Sequence, residues 1–273
     1  MAREARNAEA LTRTPARLDG TVFLSGTRTL YVGSLVATKP HAHHATQIVI
    51  APQGLAIEDG SHGSTRASAL VIPPRLRHGH GACSHAAFLL LDGDDPTSRE
   101  LARHAEPRCE SWARDLGDII VPRDPTPAQA RALLASILSA VDPGRTPNPR
   151  HPAVRRMCAY LDGSDHVDLA SLARDAGLSP RQMRHVFARD VGLSMRAYLR
   201  WKRVRRAIVA VEAGASLSAA AVAAGFADSA HLSRVFRAQF GMMPSQGIYQ
   251  WSITSDSRSS SSSEGTTLRS GAS

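Results

Sequence analysis

A pattern of helix, glycine turn and helix occurs twice in the chain, and this repetition constrains the fold more than any other feature of the sequence. The stretch GLSPRQMRHVFARDVG, residues 177–192, has a counterpart in GFADSAHLSRVFRAQFG, residues 225–241. The matched apolar and glycine positions are 48 residues apart before the turn and 49 residues apart after it. The one inserted residue falls in the turn, where a change of length is tolerated. The sequence therefore predicts two copies of one small helical unit.

Capping residues mark the ends of the helices in both copies. A side-chain oxygen placed just before a helix accepts a hydrogen bond from a free backbone N–H group of the first turn. Proline is tolerated at the first helical position, as at Pro180, and glycine can adopt the positive φ that ends a helix. The predicted N-caps are Asp168, Ser179, Ser216 and Asp228, and the predicted ends of the first helices are Gly177 and Gly225.

The apolar face of each second helix is repeated, whereas its opposite face differs between the copies. Two docking devices that contact different surfaces would keep their scaffold and vary their exposed residues in this way. A helix-turn-helix that places its second helix in the DNA major groove has this property, and an ordinary pair of helical hairpins is the alternative. The candidate base-contacting residues are Arg181, Arg184 and His185 in the first copy and Ser229, Ala230, Ser233 and Arg234 in the second.

A single long helix is predicted between the two copies. Residues 194–213 contain no proline or glycine, and twenty helical residues span about 30 Å. Successive major-groove faces are about 34 Å apart along the duplex, so one rigid helix can hold both copies against the same side of DNA. This helix is strongly basic, and the candidate phosphate contacts are Ser179, Arg200, Lys202 and Arg237.

The positive charge is concentrated in the same part of the chain. The formal net charge is +9, and residues 151–250 contain 14 Lys and Arg against 7 Asp and Glu. A basic excess within one domain favours binding to the phosphate backbone. The three cysteines are widely spaced and odd in number, which argues against a disulfide framework. Without an apolar run of about 20 residues or a secretory signal, we expect a cytoplasmic protein that does not contact the membrane.

The pattern of the N-terminal half is that of a β-structure. From Thr21 to about Val121, short β-branched and apolar runs alternate with turn residues, as in an antiparallel barrel or sandwich. From Pro127 the apolar residues change to helical spacing. The predicted segments are a flexible arm (1–19), a β-domain (20–125), a helix and Pro-rich linker (126–150), a helical domain (151–250) and a disordered Ser-rich tail (251–273).

The helical region resembles the DNA-binding domain of the AraC/XylS family of bacterial transcriptional regulators. The resemblance covers about a hundred residues and is carried by DLASLARDAGLSPRQMRHVFARDVGLSMRAYLRWKRVRRA and AGFADSAHLSRVFRAQFGMMPS. It implies two helix-turn-helix units joined by a long helix. It also implies that bases are contacted from the positions of the two candidate sets, with Ala230 unable to form a side-chain hydrogen bond.

Four histidines and a glutamine stand out in the N-terminal half. On a strand, His41 and His43 point to one face and His44 to the other. This region resembles the cupin-like sensing barrel of many AraC/XylS members, so the implied fold class is α+β, with a cupin-like antiparallel β-barrel before the helical domain. In metal-binding cupins a His-x-His pair, an acidic residue and a later histidine hold the ion. The matching residues here, and the candidate effector or metal site, are His41, His43, Gln47 and His78.

Three roles for this histidine site remain open from the sequence. It binds a divalent metal such as zinc through His41, His43 and His78, or it binds an organic effector, or it is structural. The helix that carries Leu133, Leu134, Ile137 and Leu138 is either part of the barrel core or the seam of a homodimer.

We interpret the chain as a sequence-specific transcription regulator that is modulated by an unknown small-molecule effector, and the sequence leaves open whether it is an activator or a repressor. Its expected partners are double-stranded DNA, RNA polymerase and a second copy of itself. We expect no enzymatic activity and no certain cofactor. A metal-dependent cupin enzyme fused to a DNA-binding module and a non-regulatory architectural DNA binder are the alternatives.

Overall fold

The structure, a computed structural model, describes residues 19–61, 63–103, 106–141, 150–163, 168–247 and 251–255. The predicted arm up to residue 18, the linker residues 142–149 and the tail from residue 256 lie outside the described residues. Two parts follow each other along the chain. We call the described residues up to 141 the N-terminal domain and the described residues 150–247 the C-terminal domain.

The N-terminal domain is built on one seven-stranded sheet in the order β4-β3-β6-β2-β1-β7, with β5 beside β3. Neighbouring strands from this half of the chain pair antiparallel, and β3 is long enough to pair with β6 at its start and β5 at its end. The strands are β1 (Gly20–Ser25), β2 (Arg28–Leu35), β3 (Thr46–Asp59), β4 (Ser64–Ile72), β5 (His78–His80), β6 (Cys83–Leu91) and β7 (Trp251–Ser255).

Both faces of the sheet are covered. Val22 and Val49 belong to one apolar cluster, while their chain neighbours Phe23 and Ile48 belong to another, as expected when successive side chains point to opposite faces. A short 3-10 helix (Cys109–Trp112) places the buried Trp112 on the first cluster. Helix α1 (Pro96–Arg103) follows β6, and α2 (Pro127–Val141) packs on the second cluster.

The apolar side of α2 belongs to the core of its own chain. Leu133 and Ile137 are fully buried in the second cluster, and Leu134 and Leu138 are partly buried against it. Of the two roles considered for this helix, barrel core is the one that these contacts support.

The C-terminal domain is all-helical and contains the two predicted units. Unit one is α4 and α5, and unit two is α7 and α8; a helix precedes unit one, a long helix separates the units, and a short helix follows. The helices are α3 (Pro152–Gly163), α4 (Leu169–Asp175), α5 (Pro180–Val191), α6 (Met195–Glu212), α7 (Leu217–Ala223), α8 (Ser229–Phe240) and α9 (Pro244–Gly247).

The predicted capping residues are confirmed. Each of Asp168, Ser179, Ser216 and Asp228 accepts a hydrogen bond from a backbone N–H of the first turn of its helix. Ser179 and Gln182 form a reciprocal capping box, which satisfies two otherwise free backbone donors. The glycine turns have positive φ in both units, 65° at Gly177 and 83° at Gly225, and the second helices end at Gly192 and Gly241, also with positive φ.

Helix α6 is shared by the cores of both units. Tyr198 packs with Phe187 in the core of unit one, while Val204 and Ile208 pack with Phe236 in the core of unit two. Its 18 residues span about 27 Å at 1.5 Å per residue. A displacement of α6 therefore moves both units together.

Strand β7 corrects the sequence prediction at the start of the tail. Residues 251–255, predicted as disordered, form a strand that pairs parallel with β1, with Val22 opposite Ile253. The sequence argument relied on the serine-rich residues that follow. It overlooked that Ile253 and Thr254 are β-branched, which favours a strand, and that an unpaired sheet edge offers free backbone hydrogen-bonding groups.

An acidic loop after β6 joins the two domains. Asp92, which is fully buried, accepts hydrogen bonds from Trp201 Nε1 at 2.6 Å and from Arg205 Nη1 at 2.8 Å, both on α6. Asp94 accepts a hydrogen bond from Tyr198 Oη at 3.0 Å. Gly93 lies between them, and a Cβ there would be 2.8 Å from the carbonyl oxygen of Val191, so only glycine allows this close approach.

The contacts of Asp92 offset the free-energy cost of burying its carboxylate. Burial raises the pKa of Asp92 to about 6, while Arg205 and then Lys202 act in the opposite direction. Arg205 also donates to the carbonyl oxygen of Gly26 at 2.8 Å. The guanidinium of Arg205 therefore links two loops of the sheet domain to α6.

Replacing Arg205 by alanine is expected to destabilise the chain strongly. Removal of one partner of a buried ion pair costs about 3–5 kcal/mol, and we expect about 2–3 kcal/mol here because Lys202 and Trp201 still contact Asp92. Urea unfolding followed by circular dichroism measures this difference. The matched control is Arg196→Ala, an exposed arginine on the same helix, for which a change within about 0.5 kcal/mol is expected. An equal decrease in the free energy of unfolding in the two variants would contradict the stabilising role of the Arg205 contacts with the sheet domain.

Candidate DNA-reading and sensing sites

The candidate base-contacting residues lie on the outward sides of α5 and α8. Arg181, Arg184 and His185 are exposed near the start of α5, whereas Met183 and Phe187 are buried in the core of unit one. In unit two the exposed candidates are Ala230 and Arg234, and the half-buried candidates are Ser229 and Ser233. Each second helix thus presents its variable residues to solvent from a repeated scaffold.

Three of the four candidate phosphate contacts are exposed. Ser179, Arg200 and Arg237 face solvent. Lys202 instead points into the domain interface, with Nζ 3.9 Å from Asp92 Oδ2 and 5.1 Å from the centre of the Tyr198 ring. The expectation of a phosphate contact at Lys202 is corrected, because a buried carboxylate attracts its ammonium group. A buried acid on another domain is not visible in the local sequence of α6.

The predicted histidines come together inside the sheet domain. His41 and His78 form an isolated antiparallel bridge, with reciprocal backbone hydrogen bonds of 2.8 and 2.9 Å. His43 follows on the same side of the chain, and the ring centroids lie 4.5 Å apart for His41 and His78 and 4.9 Å apart for His43 and His78. His44 points away and lines a separate cleft, as the alternation of the strand predicts.

Backbone carbonyls fix the tautomer of the three rings. Nδ1 of His41, His43 and His78 lies 2.9, 2.8 and 2.9 Å from the carbonyl oxygens of Lys39, Ala45 and Leu76. A carbonyl only accepts, so each Nδ1 carries the proton, and each neutral ring keeps a free electron pair on Nε2. One ligand atom from each ring can be chosen so that all three lie within 4.8 Å of one another.

Gln47 completes this histidine cluster. Its Oε1 lies 2.5 Å from His43 Nε2 and 3.3 Å from His78 Nε2, and its Nε2 is buried without a partner among the described residues. An oxygen and two deprotonated nitrogens are all acceptors, so they do not form hydrogen bonds with each other. Two arrangements satisfy them: the amide turned by 180° so that its NH₂ donates, or a cation bound between the electron pairs.

Burial keeps the histidine cluster neutral. Desolvation, followed by the neighbouring His43, lowers the pKa of His41 to about 3, and desolvation lowers the pKa of His43 to about 4. Desolvation likewise holds the pKa of His78 well below its ordinary value. Neutral imidazoles are the form that binds transition metals.

A small apolar cavity of about 50 Å³ adjoins the histidine cluster and reaches the domain interface. His41, His80 and Tyr31 line it from the sheet domain, and Trp201 and Arg205 line it from α6. The sequence reasoning missed the interface residues Asp92 and Trp201. The acidic run LDGDD directly after a buried strand, in a chain with a very basic helix, was the available signal.

The histidine cluster touches unit two directly. Gly241, the left-handed residue that ends α8, is packed so closely on the loop before β3 that a Cβ there would lie 2.6 Å from His41 Nδ1 and 2.6 Å from the carbonyl oxygen of Lys39. Gly192 ends α5 in the same conformation, with no atom within 4 Å of the corresponding position. The two units therefore differ in how they meet the sheet domain.

Comparison with known sequences assigns the two units to a family. Residues 172–247 match the family model described as "Helix-turn-helix domain". The chain is 29% identical over 120 residues to the arabinose operon regulatory protein of Escherichia coli, covering 42% of this chain and 40% of that protein. It is 28% identical over 102 residues to the protein of the same name from Salmonella typhimurium, covering 36% of each chain.

Through this helical region the chain is similar to AraC-type regulators. The aligned region spans about two fifths of the length of these relatives.

The fold of the whole chain also has a known counterpart. An apo ToxT variant from Vibrio cholerae superposes with a TM-score of 0.52, covering 83% of this chain and 98% of that chain at 14% identity. This likeness concerns the fold alone. It confirms the predicted α+β class, with a cupin-like β-domain followed by helix-turn-helix units.

Alanine at the two left-handed glycines is expected to have unequal effects. An alanine in the left-handed conformation costs about 1–2 kcal/mol in either position. Gly241→Ala must in addition separate α8 from His41 and Lys39, so its free energy of unfolding should fall further than that of Gly192→Ala. Urea unfolding of both variants measures the difference. Equal losses would show that the contact of Gly241 with the sheet domain contributes nothing to stability.

Proposed function

We propose that this chain is a sequence-specific DNA-binding transcription regulator whose N-terminal domain senses a signal. The observation that carries the proposal is the pair of exposed, differently substituted helices α5 and α8, called the reader helices from here on, on two matching scaffolds. A family match over this domain supports it. The curated relatives, whose names describe operon regulation, support it as well.

The geometry of the helical domain suits adjacent major grooves. The two units are joined by α6, whose length of about 27 Å is close to the 34 Å repeat of the duplex. The long basic side chains of Arg181 and Arg184 suit guanine O6 and N7. Ser179, Arg200 and Arg237 are exposed where backbone phosphates can approach them, and the hydroxyl hydrogen of Ser179 is free of the capping box because Ser179 Oγ acts there as an acceptor.

Loss of a reader arginine is expected to weaken specific DNA binding. Arg184→Ala and Arg234→Ala should each cost about 1–3 kcal/mol on a site selected from random duplexes and relax the preference at one base pair. Arg237→Ala should weaken binding to all sequences alike and reduce the salt slope by about 1. Fluorescence anisotropy over a salt series measures both quantities.

The control for these variants is Arg131→Ala, an exposed arginine on α2 of the sheet domain. It removes the same charge at a distance from the reader helices and should leave affinity and base preference unchanged. Unchanged selectivity in Arg184→Ala and Arg234→Ala would reject α5 and α8 as readers. Selection that yields no preferred site at all would favour an architectural DNA binder.

We assign to the N-terminal domain the binding of a small-molecule effector rather than catalysis. The apolar cavity beside His41 contacts both domains, and its volume of about 50 Å³ is below the usual size of small-molecule sites. An effector there would have to enlarge it, which would change the packing of the domains and the population competent for DNA. RNA polymerase is the expected target of an activator. A homodimer requires a surface other than the core-facing side of α2, since that side is already covered.

A divalent metal is the second candidate ligand of the sensing domain. The fit rests on the acceptor atoms of His41, His43, His78 and Gln47. The Nδ1–H groups of the three histidines already donate to backbone carbonyls, as those of metal-bound histidines do. Tetrahedral zinc needs nitrogens about 3.3 Å apart; the ligand atoms of the three rings lie within 4.8 Å of one another, so the rings would have to close by up to about 1.5 Å. A bound ion would act as a structural or regulatory group held by these four side chains.

Purified chain is expected to bind one zinc ion with a gain in thermal stability. His43→Ala should lose the ion and the gain, whereas His85→Ala, which changes a histidine outside the histidine cluster, should keep both. Inductively coupled plasma mass spectrometry and thermal unfolding with and without zinc provide the two readouts. Equal zinc content in the two variants would leave the turned-amide arrangement as the explanation of the histidine cluster.

A further inference from the structure

A second, larger cleft lies between the sheet domain and unit one. Its volume is about 630 Å³, within the ordinary range of small-molecule sites. His44, Arg75 and α1 line it on one side, and the end of α5 with Gly192 lines it on the other. This polar cleft is separate from the histidine cluster and from the apolar cavity, since none of His41, His43 or His78 lines it.

The cleft is strongly cationic. Four arginines line it, and Asp190 is the one acid among its described lining residues. That acid is already engaged, since Asp190 accepts hydrogen bonds from Arg189 Nε at 2.9 Å and from the backbone N–H of His151 at 2.8 Å. The arginines are Arg75, Arg99, Arg103 and Arg189.

The cations crowd each other across this cleft. Desolvation and then the neighbouring Arg150 lower the pKa of Arg99; Arg103 acts in the same direction, and Asp190 and Glu100 act against it. For His44, desolvation is followed by Arg200 and Arg75 in lowering its pKa. Like charges held this close repel each other, and a bound anion with several charges would relieve the repulsion.

Two local features stand out beside the cleft. Arg75 has a φ of 68°, a conformation that a non-glycine side chain rarely adopts, and its backbone N–H donates to the carbonyl oxygen of His43 at 2.7 Å. Backbone strain of this kind concentrates at functional sites. Nδ1 of His44 is buried without a hydrogen-bond partner among the described residues, and a buried polar atom without a partner is costly.

We propose that this cleft binds a small molecule carrying two or more phosphoryl or carboxylate charges. Guanidinium groups bind such groups through paired N–H donors, and four of them line a space of the right size. Arg103 and Arg189 each also contact a carboxylate, of Glu100 at 2.7 Å and of Asp190 at 2.9 Å. Arg189 is eight residues beyond Arg181, about 12 Å along α5, so the cleft lies at the end of the reader helix opposite to its base-contacting residues.

A bound anion would join the sheet domain to unit one. Arg75, Arg99 and Arg103 belong to the sheet domain, whereas Arg189 belongs to the reader helix α5. A ligand that holds all four restrains unit one relative to the sheet. The regulatory meaning of this restraint rests on the proposed function, whereas the binding itself does not.

Calorimetry with inorganic pyrophosphate tests the site on the full chain, without DNA and after a chelating resin has removed metal ions from protein and buffer. We expect saturable 1:1 binding that weakens at least tenfold in Arg75→Ala and in Arg99→Ala. Arg123→Ala, an exposed arginine on a loop of the sheet domain, is the matched control and should bind as the unaltered chain does. Circular dichroism tests whether each variant is folded. If Arg75→Ala or Arg99→Ala is not folded, Arg103→Gln is measured in its place.

Three results would overturn the proposal: no saturable binding at millimolar pyrophosphate, equal weakening in Arg123→Ala, or displacement of pyrophosphate by duplex DNA of any sequence. The last would identify the cleft as a phosphate-backbone contact. Because binding is measured without DNA, a chain that fails to recognise a specific duplex but binds pyrophosphate disproves the proposed function and leaves the anion site intact.

Discussion

The buried carboxylate of Asp92 is the interaction on which the arrangement of the molecule depends. A charged group without water is unfavourable unless it is paired and hydrogen-bonded. Among the described residues, the side chains that compensate the Asp92 carboxylate come from α6: Trp201, Arg205 and Lys202. Because α6 also contributes to the cores of both helix-turn-helix units, this one anchor orients both reader helices relative to the sheet. Ala45 and Leu90 of the sheet extend the same contact with apolar packing.

The sheet domain reaches the two units by different routes. Unit two touches the histidine cluster through Gly241, whereas unit one borders the arginine-lined cleft through the end of α5. A ligand at one place need not affect both readers equally. Under the proposed function, ligands at these two places would give the helical domain two inputs, each acting through its contacts with one unit.

Sequence reasoning performed best where the decisive contacts are local. Capping by Asp168, Ser179, Ser216 and Asp228 involves residues within one helical turn, so the sequence pattern is sufficient. It also placed His41, His43 and His78 together, because strand alternation and the resemblance to cupin-like domains agree. It failed at Lys202, whose ammonium is attracted by Asp92 more than a hundred positions earlier, and at residues 251–255, whose strand depends on an open edge of β1.

What the sequence by itself determined is therefore the repeated unit, its capped helices and the exposed positions of its reader helices, since these follow from short-range periodicity and hydrogen bonding. Only the tertiary structure decided which basic residues face solvent and which are bound inside. It also decided that α2 belongs to the core and that arginines from distant segments line a common cleft. The physical reason is that burial and electrostatic pairing depend on distances in space, and a single sequence encodes these distances only through the complete fold.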